Sequence, residues 1–251
     1  MSTEKTPALV IRQADFSNTS RVVTFMTREF GKVACVAKGA KRLKSPFDAA
    51  LDLLTHCGIV FIHKTSGALD ILTEASFVHR FKPYAGELNC LYAGYYIAEL
   101  LDSLTEPHDP HHRLFDETVP LLTRLEETPN WRRVVLRFEL LILEETGQLP
   151  SFDACALCGR LLEDDPPAAT VFIRSGFICP TCLNDATAED GVSRPVSAGT
   201  AHILRVFSED SNTWQDLPVT SAQAREVRAL MNSLIAQTLG KRPRMHGYLR
   251  D

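Results

Sequence analysis

Long hydrophobic runs are absent from this 251-residue sequence, and the charge-free stretch of its apolar middle runs only from Leu88 to Ala98. A membrane-spanning helix needs about 20 apolar residues, so we expect no membrane interaction. The N-terminus carries Glu4 ahead of a short apolar run and does not have the form of a secretory signal peptide. Glycine (13 residues) and proline (14 residues) show no repeat, and 45% of the residues are hydrophobic, which is typical of globular proteins. We therefore predict a globular, cytoplasmic protein.

Common catalytic motifs are also missing. The sequence has no Walker-A loop and no Gly-x-Gly-x-x-Gly, Gly-x-Ser-x-Gly or His-Glu-x-x-His motif. His108, His111 and His112 cluster near prolines, and we interpret this segment as an exposed loop that leads into a helix, with a metal role as the alternative. We expect no enzyme and no small-molecule substrate. A hydrolase with an unrecognised site has no motif to support it.

Charge is divided unevenly along the chain. Residues 1–82 contain 12 Lys+Arg and 7 Asp+Glu, a balance of +5, whereas the remainder contains 15 and 24, a balance of −9. A basic N-terminal part favours an anionic partner, while chance segregation of solvated faces is the simpler alternative.

Seven cysteines form two groups. An odd number in a cytosolic chain argues against a disulfide framework. Cys35, Cys57 and Cys90 lie in apolar runs and are predicted to be buried as small hydrophobic residues.

The other four cysteines predict a metal site. Cys155 and Cys158 form one Cys-x-x-Cys pair, Cys179 and Cys182 form another, and residues 159–178 separate the pairs. This spacing is typical of a zinc ribbon with four thiolate ligands, and a hairpin over Val171–Ile178 with a turn near Ser175 would bring the pairs together. We expect one structural zinc ion per chain. A redox dithiol, a catalytic zinc site and cysteines that no longer bind metal are the alternatives.

Short alternating segments predict an all-β region followed by helices. The expected strands are Ala8–Ile11, Arg21–Met26, Val33–Ala37, Gly58–Ile62 and Asp70–Val78. The expected helices are Ala85–Leu104, Arg113–Glu127, Trp131–Gly147, Ser197–Phe207 and one that follows a capping box at Thr220 and ends at Gly240. We predict an α+β protein with a small barrel domain over 1–82 and a helical domain over 83–251, with the zinc module inserted at 150–185.

A basic segment is the candidate contact for an anionic partner. No acidic residue occurs between Glu29 and Asp48. The predicted DNA-binding residues lie in this interval: Lys32, Lys38, Lys41, Arg42 and Lys44. Positive side chains on a loop of a small barrel can follow a nucleic-acid backbone, and a solvated loop is the alternative. Since Phe25, Phe30, Phe47 and Phe61 are expected in the core, few aromatic residues remain for base stacking.

These motifs together resemble the RecO family of bacterial recombination mediator proteins. The matching stretches are Ala8–Arg12, Ser20–Lys32, Val36–Arg42, Leu149–Gly159 with Gly176–Cys182, and Leu239–Arg244. The resemblance implies an N-terminal OB-fold followed by a helical domain with a zinc module. It also implies that Lys38, Lys41 and Arg42 form the basic loop and that the four paired cysteines bind zinc.

The same resemblance implies a function. A member of this family would bind single- and double-stranded DNA, anneal complementary strands, and act with RecR and the single-stranded-DNA-binding protein to load the RecA recombinase. The alternative from another class is a protein–protein adaptor whose barrel and zinc ribbon are docking modules without direct DNA binding.

Overall fold

Alternating apolar and polar residues build five strands in the first third of the chain. They are β1 (Ser2–Asp15), β2 (Arg21–Thr27), β3 (Gly31–Ala37), β4 (Thr55–His63) and β5 (Asp70–Arg80). Their order is β1-β2-β3-β5-β4, and because β4 also pairs with β1, the sheet closes into a barrel. All strand pairs are antiparallel except β3 with β5. All five predicted strands are confirmed, although β1 begins well before the expected first residue.

The computed structural model describes residues 2–42, 45, 47, 49–64, 69–162, 171–173, 176–183 and 194–249. The chain divides into two compact units, Met1–Phe138 with Pro243–Asp251, and Glu139–Arg242. The predicted two-domain division at residue 82 rests on the change from strand to helix periodicity and remains a prediction. Within the described ranges no helix is both long enough and apolar enough to cross a membrane.

The first unit has its core inside the barrel. Phe25, Phe47 and Phe61 are buried, and Phe30 packs edge-on against Phe61 with ring centroids 5.5 Å apart, so the predicted core positions of these aromatic residues are confirmed. Cys35 is buried among them. Inward-facing side chains alternate with partly exposed ones along β3 and the first part of β4, as expected for strands with one face on a core.

Three helices follow the barrel: α1 (Leu88–Leu104), α2 (His112–Glu127) and α3 (Trp131–Glu145). The helical spacing of the apolar residues from Leu88 to Leu101 predicts that Leu88 belongs to the apolar face of α1. This prediction is wrong, because Leu88 is 57% exposed. The buried face instead includes Gly94, where an added Cβ would lie 2.8 Å from side-chain atoms of Leu54 and Phe81. Small residues on this face allow neighbouring side chains to pack close to the helix backbone, and a hydrophobicity pattern does not indicate such close packing.

Gly31 joins the barrel to the segment after α1. It begins β3 at the hairpin turn between β2 and β3, paired with Thr27 and with φ at +62°. A Cβ at this position would lie 2.0 Å from the carbonyl oxygen of Asp109. Lys32 also pairs with Pro107 in an isolated bridge, so the turn and residues 107–109 are in direct contact.

The second unit contains short strands and helices: β6 (Val171–Ile173), β7 (Gly176–Ile178), α4 (Pro180–Leu183), β8 (Arg194–Pro195), α5 (Ala198–Ser208) and α6 (Ser221–Leu239). The predicted capping box of Thr220 with Gln223 is present, and Gly240 ends α6 with φ at +68°. β6 and β7 pair antiparallel, as predicted for the hairpin, while its turn at residues 174–175 lies outside the described residues.

Candidate metal centre and nucleic-acid interface

The first Cys-x-x-Cys pair lies on a tight turn. The N–H of Gly159 donates to the carbonyl of Cys155 at 2.8 Å, and Gly159 has φ at +73°, a conformation that suits glycine. The N–H of Cys155 donates to Arg160 at 2.8 Å, and the N–H of Ala156 donates to Phe177 at 2.8 Å. The bond from Ala156 attaches the first pair to strand β7.

The second pair lies where β7 passes into α4. The N–H of Cys182 donates to the carbonyl of Cys179 at 3.1 Å, so this pair also forms a turn. Phe177, which precedes the pair, packs against Phe152 with centroids 5.3 Å apart and against Phe172 at 5.8 Å. Short strands and three aromatic rings thus bring together two turns that are well separated in the sequence.

All four predicted ligand sulfurs come together. The Sγ atoms of Cys155, Cys158, Cys179 and Cys182 lie within 4.8 Å of one another, and those of Cys158 and Cys179 are 3.9 Å apart. Sulfurs bound to zinc at about 2.3 Å in a tetrahedron are about 3.8 Å apart. The four cysteines could therefore bind one metal ion, and the donor set is consistent with zinc.

The thiols influence one another strongly. Burial opposes ionisation of Cys155, but the N–H of Cys179 donates to its sulfur at 3.4 Å, and the pKa of Cys155 lies below its ordinary value. The N–H of Cys182 lowers the pKa of Cys179. Hydrogen bonds with Cys158 and Cys179 raise the pKa of Cys182 to about 12. Because thiolates repel one another, all four ionise together only when a cation neutralises them.

The predicted DNA-binding lysines and arginine are not all in the same environment. Lys38 and Arg42 are exposed on the turn that follows β3, and within the described part of the chain no carboxylate forms an ion pair with either. Lys41 lies between them and donates to Asp15 at 2.9 Å and to the carbonyl of Ser17 at 3.3 Å. Lys44 lies outside the described residues.

Lys32 differs from these three. Its ammonium donates to the carbonyl oxygens of Asp102 and Thr105, both at 2.6 Å, and burial lowers its pKa. These two bonds occupy the ammonium near the C-terminus of α1. Two of its three N–H donors are therefore occupied and the side chain is partly buried, which makes Lys32 less available to a phosphate than Lys38 or Arg42.

Phe16 is a candidate interface residue that sequence reasoning missed. Its ring is 59% exposed in the loop between β1 and β2, next to Asp15, which pairs with Lys41. The N–H of Phe16 donates to Ser20 at 3.1 Å, and the N–H of Lys41 donates to Thr19 at 3.1 Å, so this loop is bonded to the basic turn. The available signal was a lone phenylalanine in the polar stretch from Asp15 to Ser20.

Arg21 also lies close to Asp15. Its side chain lies 3.7 Å from Asp15 and donates to Gln13 at 3.2 Å. Hydrogen bonding and charge from Lys41, with a further contribution from Arg21, hold the pKa of Asp15 below its ordinary value. We define the basic turn surface as Arg21, Lys38, Lys41 and Arg42 together with Phe16. It combines positive charge with one exposed aromatic ring.

Comparison with known proteins agrees with this architecture. The chain matches the family model "Recombination protein O N terminal" over residues 1–81 and "Recombination protein O C terminal" over residues 86–246. Together these matches define a two-part recombination protein.

Similar proteins carry the same family name. The DNA repair protein RecO of Rhodopirellula baltica is 33% identical over 97% of this chain and 98% of its own length. Proteins of that name from Myxococcus xanthus (32% identity, 94% of this chain and 92% of the relative) and Anaeromyxobacter dehalogenans strain 2CP-C (31%, 96% and 94%) are also similar. The chain belongs to the RecO family, and this membership supports a role in DNA repair and recombination.

Proposed function

We propose that this chain is a non-enzymatic recombination mediator that binds single- and double-stranded DNA and anneals complementary strands. The observation that carries the proposal is the basic turn surface, where Lys38 and Arg42 are exposed on a turn that is hydrogen-bonded to the loop of the exposed Phe16. Cationic side chains bind phosphates of any sequence, and an exposed ring can stack on any base. Contacts of this kind leave base edges free to pair with a second strand.

The barrel is proposed to be an OB-fold. Five strands close with β1 shared between β2 and β4, and one parallel pair joins β3 to β5. OB-folds are small five-stranded barrels that use loops between strands to bind oligonucleotides. The loop between β1 and β2 contains Phe16, so the proposed surface lies where that architecture binds its ligands.

The four clustered cysteines are proposed to hold one structural Zn²⁺. Their four sulfurs complete a tetrahedral shell and leave no position for a reacting water, which disfavours a catalytic zinc site. An ion here would stabilise the short strands and turns that surround it.

Partners are proposed from family membership. Relatives are named DNA repair proteins, and we propose that this chain acts in the bacterial cytoplasm with RecR and the single-stranded-DNA-binding protein to load the RecA recombinase. No residue is assigned to either protein partner.

Strand annealing is the decisive experiment. Complementary oligonucleotides, bare or coated with the single-stranded-DNA-binding protein, are mixed with the purified chain, and duplex formation is followed by fluorescence quenching. We expect the protein to accelerate annealing and the Lys38→Glu/Arg42→Glu variant to do so less. Annealing at the protein-free rate with both substrates would reject the proposal.

A protein–protein adaptor is the second candidate function. Phe77 and Val78 on β5 are 51% and 55% exposed, so apolar side chains of the barrel are available to a protein partner. An adaptor of this class would bind bare oligonucleotides weakly at physiological salt. An anisotropy titration at that salt concentration therefore separates the two functions.

A further inference from the structure

A second cluster of potential metal ligands lies in the first unit, away from the cysteines. His63 is the last residue of β4, Asp70 is the first residue of β5, and His108 lies in the segment between α1 and α2. One ligand atom from each lies within 4.8 Å of the other two. The sequence does not indicate that these three side chains lie close together, because β5 and the whole of α1 lie between Asp70 and His108 in the chain.

Asp70 is the central group. It is only 2% exposed, yet within the described ranges no lysine or arginine side chain forms an ion pair with it. Its carboxylate accepts the N–H of Lys64 at 2.8 Å and lies 3.2 Å from Nδ1 of His63. A buried carboxylate requires compensation by charge or by hydrogen bonds, and a dication bound beside it would supply the charge.

His108 completes the cluster. Its ring centroid lies 4.9 Å from that of His63, with an interplanar angle of 66°. The backbone of His108 has φ at +58°, and its N–H donates to the carbonyl of Lys32 at 3.0 Å. This left-handed conformation is uncommon for a residue with a side chain, and here the contact with β3 holds it in place.

We propose that His63, Asp70 and His108 form a second metal site, for a divalent ion of the zinc class. Two imidazoles and one carboxylate are suitable Zn²⁺ ligands, and three protein ligands leave the fourth position open to water. Ligand atoms on one zinc ion are about 3.4 Å apart, so the cluster must contract slightly. Rotation of the exposed His108 ring supplies this movement.

Such an ion would fasten the segment after α1 to the barrel. His63 and Asp70 lie at the ends of adjacent strands, whereas His108 belongs to the segment that contacts Gly31 and Lys32. The site is independent of the proposed DNA function, because it uses none of the residues of the basic turn surface.

Metal stoichiometry tests this inference. The full chain, prepared without a polyhistidine tag, is dialysed against buffered Zn²⁺, and bound metal is measured by mass spectrometry. We expect two zinc ions per wild-type chain and one per chain of His108→Asn. Asparagine tolerates the left-handed backbone, so this variant removes the imidazole and keeps the local conformation.

Matched variants exclude simpler explanations. His112→Asn, at an exposed position near His108 in the sequence, should retain both ions, and Asp70→Asn should weaken the second site by at least about tenfold. Co²⁺ added after zinc has filled the cysteine cluster should give ligand-field absorption without a thiolate charge-transfer band. Circular dichroism shows separately whether each variant is folded. One zinc ion per wild-type chain, or two zinc ions per chain of folded His108→Asn, would overturn the proposal.

Discussion

The barrel and the cysteine module use the same residue type in opposite ways. In the barrel, Cys35 and Cys57 are fully buried, and burial raises the pKa of Cys57 to about 12. In the module, sulfurs lie within 4.8 Å of one another, and the pKa values of Cys155 and Cys179 are lowered while that of Cys182 is raised by hydrogen bonds with Cys158 and Cys179. A thiol buried in the barrel stays protonated and packs as an apolar group, whereas the clustered sulfurs of the module can bind a cation as thiolates.

The two regions also differ in what stabilises them. Barrel strands of 7 to 14 residues pair on both sides and enclose a contiguous apolar core. The paired strands of the module, β6 and β7, have three residues each. Hydrophobic burial can stabilise the barrel by itself, while we expect so small a module to depend on the zinc ion proposed for its four cysteines.

Removing one module cysteine should have the largest effect. We expect Cys158→Ser to lose the ion of the cysteine cluster, because three thiolates bind zinc less well than four, and apparent binding energies of such sites are on the order of 10 kcal/mol. Metal analysis and hydrogen exchange of residues 171–173 and 176–183 measure the loss. Cys90→Ala, at a buried thiol in α1, is the matched control and should keep the metal. Full zinc retention in Cys158→Ser would contradict the prediction that the four cysteines bind the ion that stabilises the module.

Truncating a core ring should affect the barrel alone. Phe61 is 1% exposed, and Phe61→Ala should cost about 3–5 kcal/mol of unfolding free energy in denaturant titrations. The metal content of the cysteine cluster should stay the same. Phe77→Ala, at a ring that is 51% exposed on the neighbouring strand, should change stability by about 0.5 kcal/mol or less. Loss of the cluster's ion in Phe61→Ala would mean that the two regions are not independent.

Reversing charge on the basic turn should weaken DNA binding without affecting either source of stability. Lys38→Glu/Arg42→Glu removes two phosphate contacts, and each is worth about 0.7 in the salt dependence of single-strand affinity. Anisotropy titrations at several salt concentrations should show a slope smaller by about 1.4. Lys5→Glu/Lys82→Glu changes two exposed lysines elsewhere in the first unit and matches the net charge. Equal slopes in the two variants would assign binding to overall charge.

The ion pair of Lys41 with Asp15 should give the smallest effect. Lys41 holds the pKa of Asp15 below its ordinary value, so Lys41→Met should move that pKa upward in an NMR titration. Because the folded-state pKa is lowered, the pair stabilises the fold above the unfolded-state pKa. That contribution disappears as pH falls through the folded-state pKa. The carboxyl of Asp116, whose pKa is lowered by Arg28, should titrate unchanged as an internal control.

Local patterns predicted most of the elements. Alternation indicated all five barrel strands, and the Thr220 capping box with Gly240 marked both ends of α6 correctly. The face of α1 was misjudged, since its buried side uses Ala93 and Gly94, which contribute little hydrophobicity and permit close packing. The periodicity of a helix or strand indicates which of its residues are apolar enough to be buried. How closely two elements pack depends also on the side chains of the neighbouring element, which the pattern does not contain.

The sequence by itself determined the two Cys-x-x-Cys turns, because the separation of two sulfurs by two residues and a following turn depends only on local backbone geometry. Only the tertiary structure decided which basic side chains are available: Lys32 is occupied by carbonyls near the end of α1, while Lys38 and Arg42 remain exposed. It also decided that Phe16 lies beside the basic turn and that His63, Asp70 and His108 meet. Spacing along the chain constrains neighbours within a turn or a hairpin, but contacts between distant segments exist only after the barrel has closed and the core has packed.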